Sequence, residues 1–343
     1  MWVCDKRTIC YAVAPSLFIF LKRYTLLHGK VIKSTGSWYV VRTDDGRLVE
    51  CKVKGNFRLR GIRSTNPVAV GDGVSIKEQL IEGSEDAAAF ITEIDERCNY
   101  IIRKASNLSK QSHILAANVD MALLVVTIAR PETTTTFIDR FLASAEAYRV
   151  PVCIAFNKTD DLTSDELQTL NYWETIYTDI GYPCFRISAL NGTGIEALQQ
   201  ELRGKTTLLA GHSGVGKSTL LNLLIPDAHV RTAHISDAHG TGMHTTTFSE
   251  LFELPGEDGG ALIDIPGVKG FGTFNMEPEE VAHYFRDIFR ISADCRFSNC
   301  THTHEPGCAV LRALEEHQLA PSRYASYRSM MEDKEEGKYR AAY

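Results

Sequence analysis

Gly211, His212, Ser213, Gly214, Val215, Gly216, Lys217, Ser218 and Thr219 spell a G-x-x-x-x-G-K-S-T loop between two apolar segments, Thr206–Ala210 and Lys217–Leu224. A strand before and a helix after are the setting in which such a loop cradles a triphosphate. Its glycines let backbone N–H groups turn toward phosphate oxygens, and the helix N-terminus adds its dipole. Lys217 is placed to reach the β- and γ-phosphates, and the Ser218 hydroxyl to bind Mg²⁺. The loop selects a nucleoside triphosphate without choosing the base.

That choice falls to Asn157, Lys158, Thr159 and Asp160, directly after the apolar run Val152–Phe156. An aspartate there can accept two hydrogen bonds from guanine, at N1–H and at the exocyclic amine. Adenine presents an acceptor and no amine, and an acid left unpaired can discriminate by about 10⁴. Asn157 is expected to tie this loop to the phosphate loop, and the Lys158 stem to cover the base plane. Ser188, Ala189 and Leu190, after strand Cys184–Ile187, supply backbone contacts to the base carbonyl. Asp264-Ile-Pro-Gly267 follows a further strand; Asp264 would hold Mg²⁺ through water, and the Gly267 N–H would sense the γ-phosphate. In the glycine-flanked threonine cluster His239–Thr247, Thr246 is expected to complete the Mg²⁺ shell, with Thr245 the competing choice.

The elements that must carry these loops alternate. Met121–Ile128 is a continuous apolar run, as buried parallel strands are. Helix around Phe137–Arg149, strand Val152–Phe156, helix Ser164–Ile180, strand Cys184–Ile187, helix Ile195–Leu202, strand Thr206–Ala210 and helix Lys217–Leu224 follow. Strands near Phe248–Leu254 and Ala261–Ile265 complete a doubly wound α/β domain. Upstream, short alternating runs between Gly29 and Glu96, parted by Asp44-Asp45-Gly46 and Gly71-Asp72-Gly73, read as a small antiparallel barrel. From Lys30 to Lys77 ten basic residues face four acidic ones, in a chain whose net charge is −6. With Trp38, Tyr39 and Phe57 interleaved, this segment reads as an RNA-facing surface. Arg97 to Asn118 reads as a polar linker with little periodicity.

Near the C-terminus, Cys295-x₄-Cys300-x-His302-x₅-Cys308 offers three thiolates and an imidazole, a full tetrahedral set for structural Zn²⁺, with His304 an alternative to His302. The nine cysteines lie mostly in apolar runs, which suits reduced thiols and a cytoplasmic location more than a disulfide framework. An apolar stretch, Ile9–Leu21, is thirteen residues long. A membrane-spanning helix needs roughly 20, so no membrane association is expected. Residues 1–27 read as an extension, 28–98 as the barrel, 99–118 as the linker, 119–275 as the nucleotide domain and 276–343 as the metal domain. The tail after Pro321 mixes signs and is compatible with a packed helix or a free end.

The order of the motifs is unusual. In the common GTPase arrangement the phosphate loop comes first and the NKxD and SA elements last. Here NKTD and SAL precede the phosphate loop and DIPG closes the series, as in a domain whose chain is opened elsewhere. On NKTD, GHSGVGKST, MHTTT, DIPG and the Cys/His cluster, the chain resembles the circularly permuted, small-subunit-dependent GTPases of bacteria (RsgA-type) from about Gly29 onward. The resemblance implies an OB-fold barrel, a permuted P-loop GTPase and a helical zinc domain in that order. It also implies that the chain acts as a monomer, binding GTP and GDP together with the small ribosomal subunit and its rRNA. It favours His302 over His304 as zinc ligand.

Where many GTPases place a water-orienting Gln after the DxxG glycine, this chain has Val268, which can orient nothing. His244, before the threonines, is the in-chain candidate, and the resemblance implies a catalytic role for it. Slow turnover, stimulated on docking, is then expected. Gly214 stands where potassium-activated relatives carry Asn, so K⁺ dependence is not expected. Two other readings remain open on the sequence: an RNA-binding assembly scaffold with a structural GTP switch, and an ATP-using P-loop enzyme.

Overall fold

A computed structural model describes residues 24–53, 67–80, 87–104, 112–230, 248–256, 259–265 and 278–335. Five strands form the N-terminal unit: β1 (Tyr24–Ser34), β2 (Tyr39–Thr43), β3 (Leu48–Val53), β4 (Gly73–Leu80) and β5 (Ala87–Ile94). The order β1-β2-β3-β5-β4, closed by β4 on β1, is an OB-like barrel around Val31, Val41, Ile76 and Ile91. Strand β1 is long enough to pair with β2 and β4 at once. Gly29 sits at that crossing, where an added Cβ would stand 2.2 Å from the Arg42 carbonyl oxygen. One expectation changes here: strand β1 begins inside the segment read as an extension, since Tyr24–Leu27 pair with Ile76–Gln79. Strand β5 opens on three alanines, residues of low strand propensity, and carries little alternating signal of its own.

The segment read as a polar linker with little periodicity contains an antiparallel pair, β6 (Tyr100–Lys104) and β7 (Ser112–Ala117). Ala116 bridges to Val70, and Gly71 (φ 96°) passes so close that a Cβ would lie 2.0 Å from the Ala117 carbonyl oxygen. Beside this junction Arg97 grips Asp72 with both nitrogens of its fork at 2.6 Å and donates to the Pro67 carbonyl. Both side chains are buried, so the charges are held in matched geometry.

The nucleotide domain is built on β8 (Met121–Val126), β9 (Val152–Phe156), β10 (Cys184–Arg186), β11 (Thr206–Ala210), β12 (Ser249–Glu253) and β13 (Ala261–Asp264). Their order is β10-β9-β8-β11-β13-β12, parallel except for β12. Helices α1 (Thr135–Ala147) and α2 (Ser164–Ile180) cover one face, α3 (Ile195–Leu202) and α4 (Lys217–Leu224) the other. Strand β8 shows why its sequence is apolar throughout: Ala122, Leu124 and Val126 enter the first layer while Met121, Leu123 and Val125 enter the second. Helix α2 starts on a capping box between Thr163 and Glu166 and stops at left-handed Gly181.

Barrel and nucleotide domain share one sheet. Strand β1 pairs with β12 through Lys33–Glu250 and Ser34–Ser249, and the contact is reinforced by Lys33 on Glu250 (2.9 Å) and Arg42 on Glu253. Two of the barrel's ten basic residues therefore serve this joint and not an RNA surface. Tyr39 is also withdrawn from that surface, being buried in the barrel core, whereas Trp38 is exposed with the Lys52 ammonium 4.0 Å above its ring. Phe57 lies outside the described residues. No helix among those described is long and apolar enough to cross a membrane.

Helices α5 (Arg286–Ser292), α6 (Ala309–Glu315) and α7 (Pro321–Glu335) form the C-terminal unit, so the tail is a packed helix over its described residues. Its Arg323 is 1% exposed and reaches Asp139 of α1 (2.6 Å) and Asp287 of α5 (2.8 and 3.0 Å), while Tyr177 donates to Asp139. Burial alone would favour loss of the charge, but the two carboxylates hold the guanidinium well above its usual pKa. Removing one member of a buried ionic cluster strands the others. Arg323→Met is expected to cost about 3–5 kcal/mol, read as a fall in the urea midpoint followed by tryptophan fluorescence; an unchanged midpoint would contradict this account.

Candidate functional site

The chain leaves β11 at Gly211, whose φ of 142° turns it away from β8; a Cβ there would meet the Val125 carbonyl oxygen at 2.3 Å. Gly214 (φ 85°) and Gly216 (φ 99°) complete the loop, which runs into Lys217 and Ser218 at the start of α4. Lys217 is buried and folds back over the loop, donating to the carbonyls of Gly211 (2.8 Å) and His212 (2.6 Å). Burial brings its pKa down to about 8, against the opposing pull of Asp264. Asp264 is itself buried and lies in register with Leu209 of β11, beside the point where the phosphate loop departs. A buried carboxylate and the Ser218 hydroxyl are hard oxygen donors of the type Mg²⁺ takes alongside phosphate.

Asn157 joins the loops. Buried at the end of β9, its Nδ2 donates to the Val215 carbonyl (2.8 Å), and its Oδ1 accepts from the Ala189 N–H (2.9 Å). Gly216 lacks a side chain for the same reason, since a Cβ would stand 2.3 Å from Asn157 Nδ2. Lys158 is left-handed (φ 62°) and lays its ammonium on the Arg130 carbonyl (2.6 Å), while the Thr159 hydroxyl donates to the Ile187 carbonyl (3.0 Å). Asp160 is exposed on the same loop. Ser188 is fully buried and accepts from the Asn191 N–H, and Leu190 projects outward at 83% exposure. Thr219 is half-buried, two residues along α4. The phosphate, NKTD and SAL loops thus meet at one sheet end, as the scrambled motif order requires. His244, Thr245, Thr246, Gly267 and Val268 lie outside the described residues.

The motifs did not reveal two contacts. The His212 ring lies 3.6 Å, centre to centre, from Phe137 in the first turn of α1, and Arg130 forms an ionic cluster with Asp161 and Glu166. Neither pair has a spacing signature; only the fold brings them together.

Cys295, Cys300, His302 and Cys308 converge so that their ligand atoms lie within 4.8 Å of one another. Cys295 Sγ and Cys308 Sγ are 4.0 Å apart, and they lie 3.6 and 3.5 Å from His302 Nδ1. Bond lengths to tetrahedral zinc imply about 3.8 Å between sulfurs and about 3.6 Å from sulfur to nitrogen, so the set fits the ion. His304 points instead to Thr303 and is exposed. The N–H groups of Ala309 and Leu311 donate to Cys295 and Cys308 sulfurs, and the Tyr324 and Tyr327 hydroxyls hold the carbonyls of His302 and Thr301. Burial would raise the pKa of Glu305, but hydrogen bonds from Thr301, Thr303 and His304 outweigh it and hold the carboxylate ionised to clasp the loop.

Phosphate loop, guanine-type loop and strand order together define a circularly permuted P-loop GTPase. The chain belongs to the RsgA GTPase family: the family model for the RsgA GTPase matches residues 94–274, and that for the RsgA N-terminal domain matches 28–85. It is accordingly a GTP hydrolase. A small ribosomal subunit biogenesis GTPase RsgA of Bacteroides fragilis is 66% identical over 317 residues, covering 92% of this chain and all of the relative. Its namesake from Porphyromonas gingivalis is 59% identical over 319 residues, again 92% of this chain and all of the relative. Among solved structures, YjeQ from Thermotoga maritima has a TM-score of 0.68 at 33% identity, covering 90% of this chain and 98% of its own. YloQ, described as a circularly permuted GTPase, has 0.64 at 29%, covering 92% and 97%.

Lys217 gives the site a proton signature. Its lowered pKa means that, above about pH 8, the nucleotide-free lysine is largely neutral, whereas bound phosphates favour the charged form. GDP binding is expected to take up most of a proton at about pH 8.5 and little at about pH 7.2, with affinity falling as pH rises through this range. Calorimetry in buffers of differing ionisation enthalpy measures the uptake; equal values at both pH settings would refute it.

Proposed function

We propose that the chain hydrolyses GTP on the maturing small ribosomal subunit, binding it in the GTP state and leaving after hydrolysis. The observation that carries the nucleotide part of this reading is the double hydrogen bond of Asn157, which puts the NKTD, phosphate and SAL loops in one site. Asp160 accepts the guanine N1–H and amine, and the Lys158 stem covers the base. Ser188 and Ala189 N–H groups are already engaged with Thr193 and Asn157, so the base carbonyl falls to the Leu190 N–H. Residues Gly211–Thr219 surround the phosphates, with Lys217 moving from the loop carbonyls onto the β- and γ-phosphates, and the Gly267 N–H reads the γ-phosphate. Ser218, Thr246 and Asp264 would hold the Mg²⁺ that accompanies the nucleotide, which would neutralise charge on the phosphate oxygens. His244 orients the attacking water, because Val268 carries no group that can.

Relatives named for small-subunit biogenesis support the partner, as do the exposed Trp38–Lys52 pair and the barrel's basic residues other than Lys33 and Arg42. GTPase rates with purified small subunits, large subunits and neither test it. Stimulation by the small subunit alone is expected; the same rate in all three would overturn the partner.

Cys295, Cys300, His302 and Cys308 hold a structural Zn²⁺ in a closed site with no position left for chemistry. Metal analysis of the purified chain is expected to find one zinc ion, lost in Cys300→Ser together with a lower unfolding midpoint. His304→Ala is expected to retain it. Retention in the first variant, or loss in the second, would show the ligand set to be wrong.

A further inference from the structure

Arg130 stands in the turn after β8, far in sequence from the NKTD loop, yet its side chain closes around that loop. Its Nε donates to the Asp161 carboxylate (2.7 Å), Nη2 also to the Asp161 carbonyl, and Nη1 and Nη2 fork onto the two Glu166 oxygens (2.8 Å each). Its own carbonyl receives the Lys158 ammonium. Asp161, next to Asp160, is therefore tied to the guanidinium and Lys158 to the main chain at the same position, with Glu166 anchoring the fork to the first turn of α2. The arginine is itself held. Thr127 and Thr133, both fully buried, staple the base of its turn through the Thr127 N–H to Thr133 Oγ1 (3.2 Å) and the Thr133 N–H to the Thr127 carbonyl (2.9 Å). Glu166 is held well below the usual glutamate range, chiefly by the Arg130 hydrogen bonds and by the Thr163 N–H, so the fork stays ionic at neutral pH.

We propose that the Arg130 side chain is the positioning residue for base selection: it fixes Asp161 against Glu166 so that the adjacent Asp160 carboxylate meets both guanine donors together. This rests on the reading of Asp160 as the base-reading acid. A carboxylate that must satisfy two donors at once tolerates less displacement than one that satisfies either alone. Loosening the loop should therefore erode selectivity for the exocyclic amine before it affects phosphate chemistry.

The test compares KM and kcat for GTP and for inosine triphosphate, which lacks that amine, in the wild type, Arg130→Ala, Arg130→Lys and Asp160→Asn. Losing the charged fork in R130A is expected to raise KM for GTP about tenfold and to narrow the GTP-over-ITP preference, with kcat for GTP within about twofold. R130K, which keeps the charge and cannot form the fork, is expected to fall between. Arg130 is 45% exposed, so the unfolding midpoint of R130A should match the wild type. If R130A keeps the wild-type preference while D160N loses it, Arg130 does not position the base reader and the proposal fails. A preference retained in D160N as well would overturn the base-reading assignment, and this inference with it.

Discussion

One carboxamide holds the site together. Asn157 can donate and accept in opposite directions from a single planar group, and it uses both capacities on backbone atoms of different loops. No carboxylate could replace it, because an ionised acid would face the Val215 carbonyl with an acceptor. The neighbouring glycine at 216 is fixed by the same contact, since the amide occupies the space a side chain would need. Once this bridge is in place, the order in which the chain visits the loops has no bearing on the chemistry. Permutation therefore leaves the nucleotide site unchanged while moving the ends of the chain.

Those moved ends explain the architecture around it. The nucleotide sheet has an antiparallel strand, β12, at one edge, and an exposed edge invites pairing. Strand β1 fills it, and Lys33 and Arg42 neutralise Glu250 and Glu253 across the junction. The barrel thus continues the sheet that carries the phosphate loop. It does so through the strand leading from the threonine-rich segment toward Asp264.

Most of the doubly wound domain was legible because its signals are local. The bounds of Ser164–Ile180 follow from its capping box and terminal Gly181, those of Ile195–Leu202 and Lys217–Leu224 from the glycines before them and their apolar period, and β8 from an unbroken apolar run. What escaped was non-local. Strand β5 opens with alanines that gain strand structure only by closing a barrel, and β6 and β7 depend on the close approach of Gly71 to Ala117. Tyr39 looked like a surface aromatic because the inward face of β2 could not be told from the outward one without a partner strand. At the site, the convergence of the phosphate, NKTD and SAL loops follows from the scrambled order of their motifs. Arg130 and the stack of His212 on Phe137 were not legible, because each joins segments that only the sheet brings together.

Helix α1 has two clients. Phe137 lies under the phosphate loop, and two residues later Asp139 is clasped by Arg323 of α7, with Ala143 entering the core shared with α5 and α6. Cutting the chain between β13 and α5 would leave a buried acid without its counter-charge and an apolar stripe facing water. The nucleotide domain and the helical unit that carries the Cys/His cluster are consequently not cassettes that recombination could trade freely. Grafting either one onto another body would require a helix whose outer surface carries both the phosphate-loop contact and the acid that receives Arg323.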